Sequence, residues 1–391
     1  MKKTFDYQVK TELYFGQNRE LEVGKILAKH NAKNVLIVIG QKSVIKSGLL
    51  NKIVKCLEAE NITYFLLQGV RANPTFDLAK EGNEIVVNNG IDFILAVGGG
   101  SVIDTAKCIA VTAYYEGDIK DFNLHLAKPE KAIPVGVVLT IAAAGSEMST
   151  SCVMQDDETG VKSGFNSELI RPVFAIENPD LSLSVNPEQT AYGVVDIMMH
   201  TLERYFCKSD EYELADELAL GILKEVADVG LIAFNEPNNY EARARIMLAS
   251  SLSHCGLTGI GKEFIMPVHQ LEHVVSGLFT KVAHACGLAI LFPGWARQYV
   301  KYDIDKFAKL GRRVFDIKNP NDKEAAMECI EKYEEYFAKL GMPNRLSQVG
   351  VKEKDVEKMV EMLTGKGSKT VYHHTHPIDE EMARTIYLSV L

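Results

Sequence analysis

The first 180 residues constrain the fold most. Short apolar runs alternate there with amphipathic stretches of helical period. Residues 35–40 (VLIVIG), 63–69 (TYFLLQG), 93–100 (FILAVGGG) and 133–140 (IPVGVVLT) are the runs, and LLNKIVKCLEAEN and FDLAKEGNEIVVNNG lie between them. Near-continuous apolar strands are those buried on both faces, as in a parallel sheet covered by crossover helices. The pattern predicts a doubly wound parallel α/β domain over residues 1–183. The early segment 10–16 (KTELYFG) reads as a further strand, one able to pair across a subunit interface.

The character changes near Asn178. The stretch NPDLSLSVNPEQ carries two prolines and suits a domain junction. Asn186 is a good helix cap, Pro187 suits the first helical position, and Gln189 is placed to close a capping box. From there Ala, Leu, Met, Glu and Lys dominate, and segments such as YELADELALGILKEVADVGLIAFN have helical period. Residues 184–391 are predicted all-helical.

Composition excludes some functions. With 47% hydrophobic and 24% charged residues, this is an ordinary globular chain. A net charge of -9 argues against a general nucleic-acid binder. The N-terminus has two lysines with no apolar core behind them, and no apolar run is long enough to cross a bilayer. The 7 cysteines are scattered without a CxxC, which suits free thiols in a cytoplasmic protein.

Two small-residue turns suggest a ligand. Gly98, Gly99, Gly100 and Ser101 follow a strand and open the helical VIDTAKCIAV. Glycines let backbone approach a ligand, and a helix N-terminus offers N–H groups to a dinucleotide pyrophosphate. A bare GGGS is equally a tight strand-to-helix turn. The stretch AAAGSEMSTS after Thr140 is a second such turn, containing Gly145, Ser146 and Glu147. In an open α/β sheet, ligands sit at the carboxyl ends of strands.

The second half carries donor groups at helical spacing. Asp196 and His200 are four residues apart in AYGVVDIMMHTLERY, His269 and His273 four apart in PVHQLEHVVSGLF, and His284 follows. Residues at that spacing share a helix face. A lone pair of this kind is usually a surface feature, but Asp196 and His200 lie in an apolar stretch where an unpaired charge is costly. Three imidazoles and a carboxylate suit a divalent first-row metal with a position left for substrate. At this stage five candidates remain for four positions. His30, His125 and His254 read as structural, and His373, His374 and His376 as a solvated, polar C-terminal group.

Together GGGSVIDTAK (98–107), AAAGSEMS (142–149), GVVDIMMHTLE (193–203) and HQLEHVVSGLFTKVAHACGLAILFP (269–293) resemble the iron-containing alcohol dehydrogenase family, in its butanol dehydrogenase and broad aldehyde reductase branch. The resemblance implies a Rossmann-like nucleotide-binding domain followed by a helical catalytic domain, a dehydroquinate synthase-like fold. It implies Asp196, His200, His269 and His284 as metal ligands and His273 as a non-ligand histidine of the active site. It further implies Gly99, Gly100 and Ser101 as the pyrophosphate loop, Asp104 and Lys162 near the nicotinamide and its ribose, and Thr140 and Ser149 near the coenzyme. The family usually has Gly after the last ligand, where this chain has Ala285, and Thr-Gly-Ser at the second turn, where it has Ala144-Gly145-Ser146.

The chemistry that follows is hydride exchange between NAD(P)H and a small aldehyde or primary alcohol polarised by the metal. His273 is the candidate proton relay, with Asp104 as a further catalytic candidate. Family resemblance favours Fe(II) over zinc or another divalent ion. An acidic residue after the first strand would favour NAD. Here Gly40, Gln41, Lys42 and Ser43 stand there, and Lys42 and Ser43 suit the extra phosphate of NADP(H). A homodimer is expected, without nucleic-acid or membrane partners. The alternatives are a polyol dehydrogenase of the glycerol dehydrogenase kind, a dehydroquinate synthase-like lyase, and a non-catalytic nucleotide sensor.

Overall fold

The structure is a computed structural model that describes residues 4–160, 162–207, 213–263, 265–368, 371 and 376–391. Packing divides the chain into two compact units, Gln8–Ser184 and Val185–Leu391, and the described residues before Gln8 group with the second.

The first unit contains β1 (Glu12–Phe15), α1 (Val23–Lys29), β2 (Asn34–Gly40), α2 (Ser43–Lys46), α3 (Leu49–Ala59), β3 (Thr63–Val70), α4 (Phe76–Asn89), β4 (Phe93–Gly98), α5 (Gly100–Thr112), β5 (Val135–Leu139), β6 (Ser151–Gln155), β7 (Lys162–Asn166) and β8 (Phe174–Glu177). Six of these strands form one sheet in the order β1-β8-β5-β4-β2-β3, and β6 and β7 form a separate antiparallel hairpin. Every pair in the large sheet is parallel. Strands β4 and β5 are buried along their whole length, as their unbroken apolar runs require. On one face Leu27, Ile37, Ile53, Leu57 and Leu95 pack into a core with Phe174, whose ring stacks on Phe93 at 5.7 Å.

Topology places the turns. From β2 the chain goes outward to β3, then returns to β4 on the other side of β2. Such a reversal opens a crevice at the carboxyl ends of the strands. Ile39 is in register with Val97, and Gly98 with Leu139. The turns after β2, β4 and β5 therefore lie side by side.

Three strands carried no usable sequence signal. β8 spans four residues, with prolines at 172 and 179 near its ends, and β6 and β7 are short and contain Ser, Gln, Lys and Gly. The segment at 10–16 does form a strand. β1 lies at the sheet edge, paired with β8.

The second unit is helical: α6 (Pro187–Phe206), α7 (Glu213–Asn235), α8 (Tyr240–His254), α9 (Pro267–Leu278), α10 (His284–Tyr299), α11 (Ile304–Val314), α12 (Asp322–Lys339), α13 (Val356–Thr364) and α14 (Glu380–Ser389). Asn186 caps α6 by accepting the Gln189 N–H at 2.8 Å, with Pro187 at the first position. From Val194 to Phe206, α6 is buried on all sides, which makes it the central helix of the unit. Its end is walled by aromatic rings, with Phe206 lying 5.4 Å from Trp295 and 4.4 Å from Phe307. Among the described residues, no helix is long and apolar enough to cross a membrane.

Candidate metal centre and coenzyme turns

Burying α6 completely also buries Asp196 and His200, at 9% and 7% exposure. His269, near the start of α9, is buried to 5%. One donor atom from each of these three lies within 4.8 Å of the others. The rings of His200 and His269 are 4.4 Å apart. His284, the first residue of α10, has its ring 5.2 Å from His269. Its donor groups with those of His273 and Glu272 rather than with the first three. The donors thus run from a buried cluster of three to a less buried end at His284 and His273.

The ring nitrogens are already sorted. His200 Nδ1 lies 2.9 Å from the Asp196 carbonyl oxygen and 3.1 Å from its Oδ1. His269 Nδ1 contacts Glu203 Oε2, and His284 Nδ1 contacts Glu272 Oε2. With Nδ1 engaged on each ring, Nε2 is the nitrogen left to bind. His269 Nε2 is buried and has no hydrogen-bond partner among the described residues. Leaving such a group unsatisfied costs about 1–3 kcal/mol. A divalent ion taken by Asp196, His200 and His269, whose donor atoms lie within 4.8 Å of one another, removes that cost, so these three residues fit a metal.

Glu203 and Glu272 escaped the sequence reading. Each lies three residues beyond a proposed ligand, Glu203 after His200 and Glu272 after His269. Such spacing places them on an adjoining part of the same helix face. Glu203 on α6 holds the ring on α9, and Glu272 on α9 holds the ring on α10. Burial pushes Glu203 up to about 8, against the Val268 and His269 N–H groups that hold it down. Burial, and then the imidazoles of His200 and His284, keep His269 well below its usual value. It is therefore neutral, the form that binds metal. Gly287 leaves the space for this arrangement, since a Cβ there would stand 2.6 Å from Glu272 Cγ.

The other histidines separate clearly. His273 is half-buried one turn beyond His269, with its ring 5.5 Å from that of His284. His254, set aside on sequence, brings its ring to 4.5 Å from His200. A single histidine at the end of α8 gave no hint of that neighbour. His373 and His374 lie outside the described residues. His376 is exposed and stacks on Tyr302 at 3.6 Å, in neither donor group.

In the α/β unit, α5 begins at Gly100 with no side-chain cap on its first turn. A Cβ at Gly99 would overlap Ile141 Cγ2, so glycine is needed there for packing. A Cβ at Gly100 would meet nothing within 4 Å, so that position and Ser101 face open space or partial exposure. The Thr140 N–H donates to the Gly98 carbonyl at 3.1 Å, tying the first turn to the second. Asp104 lies one turn into α5. Its Oδ1 accepts from Ser146 Oγ at 2.7 Å, and its Oδ2 from the Val153 N–H at 3.2 Å. Burial pushes Asp104 up, while Lys107 and, more weakly, Lys162 pull it down. Ser149 is buried, and its Oγ accepts the Ser151 N–H at 2.8 Å. Gly40 ends β2, with Lys42 and Ser43 exposed just beyond it.

The α/β unit thus has a switch point in a parallel sheet, and the helical unit holds a histidine-rich donor set. Comparison with known proteins identifies the family. Residues 10–179 match the model for "Iron-containing alcohol dehydrogenase", and residues 190–387 match "Fe-containing alcohol dehydrogenase family, C-terminal". The NADH-dependent butanol dehydrogenase A of Clostridium acetobutylicum is 36% identical over 386 residues, covering 98% of each chain. The NADPH-dependent aldehyde reductase YqhD of Escherichia coli is 31% identical, again over 98% of each chain. The crystal structure of the NADH-dependent butanol dehydrogenase A of Thermotoga maritima superposes with a TM-score of 0.94 at 29% identity, covering 99% of this chain and 98% of that one. The chain belongs to the iron-containing alcohol dehydrogenase family and is an oxidoreductase.

Proposed function

We propose that the protein interconverts small aldehydes and primary alcohols, with NADP(H) as the favoured coenzyme and Fe(II) held by Asp196, His200, His269 and His284. The buried, unpartnered Nε2 of His269 carries the metal reading. When bound, the ion polarises the substrate carbonyl as a Lewis acid and the nicotinamide supplies hydride. Glu203 and Glu272 hold the ligand rings in one tautomer, with Nε2 free to bind. His273, half-buried beside His284, exchanges a proton between the substrate oxygen and water.

The coenzyme reading rests on the turns after β2, β4 and β5. Gly99, Gly100 and Ser101 take the pyrophosphate at the start of α5. Asp104 and Lys162 are assigned to the nicotinamide and its ribose, and Thr140 and Ser149 to the neighbourhood of the coenzyme. Exposed Lys42 and Ser43 after Gly40, with no carboxylate in that turn, support the 2′-phosphate of NADP(H). The relatives divide, since the Clostridium enzyme is named for NADH and the Escherichia enzyme for NADPH. All 7 cysteines are free thiols, which fits a cytoplasmic enzyme. The edge strand β1 offers a surface for pairing with a second copy in a homodimer.

The test is anaerobic metal analysis combined with turnover of a panel of aldehydes, using each coenzyme in turn. Stoichiometric iron with aldehyde reduction is expected, and kcat/KM favouring NADPH. Stoichiometric zinc instead of iron changes the ion and keeps the site. Metal-free protein that turns over aldehyde as fast as loaded protein overturns the metal role, and an NADH preference overturns the assignment of Lys42 and Ser43.

A further inference from the structure

Lys107 is fully buried, yet it is ringed by oxygen. Its Nζ donates to the Ser146 carbonyl at 2.7 Å, Ser146 Oγ at 3.0 Å, the Ser149 carbonyl at 3.0 Å and the Ser151 carbonyl at 2.8 Å. An ammonium has three N–H groups, so four acceptors require one hydrogen to be shared. All four acceptors belong to the single stretch 146–151 after β5. Ser146 Oγ accepts from Lys107 and passes its own hydrogen to Asp104 Oδ1. Asp104 Oδ2 takes the Val153 N–H of β6. One buried cation thus ties α5, the turn after β5 and the start of β6 to the Asp104 carboxylate.

Burial of an ammonium is costly, and an apolar side chain of similar size is often the more stable choice at such a place. A cation here therefore needs a return other than stability. We propose that Lys107 is a positioning residue for the coenzyme: it sets the course of residues 146–151 and, through Ser146, the orientation of Asp104 at the nicotinamide end. The inference rests on the coenzyme reading of these turns given above.

The groups facing Lys107 come from each neighbouring element. Asp104 on α5, Cys152 on β6 and Glu147 in the turn favour its charged form, and Arg171 opposes it. Burial outweighs them and brings Lys107 down to about 8. Below that pH, the ammonium satisfies the turn. Above it, a neutral amine has two N–H groups and a lone pair among four oxygens. Coenzyme affinity is therefore expected to fall as pH rises through about 8.

The experiment titrates the metal-loaded protein with NADH and with NADPH by nicotinamide fluorescence, at a series of pH values on both sides of 8. It uses wild type, Lys107→Met and Gly100→Ala, with folding checked by circular dichroism. In wild type, Kd is expected to rise about tenfold across that pH range, the order of change for one proton-linked group. Lys107→Met is expected to bind coenzyme about tenfold more weakly at neutral pH and to show no break near 8, with bound iron and aldehyde KM unchanged. The wild-type titration keeps the proposal open to refutation even if Lys107→Met does not fold. A wild-type Kd that is flat across the range overturns it, as does a folded Lys107→Met with wild-type affinity. Gly100→Ala places a methyl in open space at the pyrophosphate turn. If it binds coenzyme normally, the coenzyme reading itself fails. If it binds weakly while Lys107→Met does not, only the role of Lys107 falls.

Discussion

Each unit of this molecule buries a polar hub, and the two hubs differ in what they leave over. Around Lys107 in the α/β unit, four oxygens of the protein meet three N–H groups. Around His269 in the helical unit, Nδ1 is taken by Glu203 while Nε2 has no hydrogen-bond partner among the described residues. Buried polar groups are nearly always satisfied, so a satisfied hub belongs to the architecture and an unsatisfied one is a seat for something else. The contrast also separates two kinds of residue near chemistry: those that shape a turn, and those that wait for a ligand.

The largest expected effect tests the unsatisfied hub. His269→Ala removes a proposed ligand and is expected to lose bound iron and activity together. His273→Ala is expected to keep its iron and lose about a hundredfold in kcat, the scale of a lost proton relay. Metal analysis beside steady-state kinetics distinguishes the two, and an active, iron-replete His269→Ala protein breaks the comparison. A smaller effect is expected from the carboxylates. Glu272→Gln leaves the shape of the side chain but weakens its hold on His284, and metal affinity is expected to fall about 10–100-fold. The rate of metal loss to a chelator measures it, and a rate equal to wild type shows that Glu272 does not orient the ligand. The smallest effects belong to the glycines of the first turn. Gly99→Ala must displace Ile141 and is expected to cost about 1–3 kcal/mol. Gly100→Ala meets open space and is expected to change stability by less than about 1 kcal/mol. Urea unfolding of the pair tests this, and equal losses place Gly100 in the packing as well.

Much of this was legible in the residues. Strands β2, β4 and β5 announced themselves through unbroken apolar runs, because burial on both faces leaves little room for a polar residue, whereas β3 stands at the sheet edge, mostly exposed, with Thr63 and Gln68 in its run. α6 was marked by Asn186-Pro187, and the donors by spacings of four. β8 was not legible, since its four residues are a strand only because β5 and β1 flank them. The hairpin β6–β7 has too much polar character to stand out. Glu203 and Glu272 lie at helical spacing, but spacing alone does not say that a carboxylate on one helix holds a ring on the next. His254 and Lys107 depend wholly on tertiary packing. Lys107 closed a motif in the sequence, and nothing there showed its side chain turned inward.

The relay of carboxylates from α6 to α9 to α10 has a consequence for assembly. Glu203 cannot hold His269, nor Glu272 hold His284, until three separate segments of the chain have docked. The donors span residues 196–284, so no local fragment offers the complete set. An ion that binds only the docked state is a reporter of that state and a stake in it. At a free concentration a hundred times its Kd, it adds about 2.7 kcal/mol to folding. With the proposed ion bound there, metal supply and the integrity of the helical unit share one equilibrium.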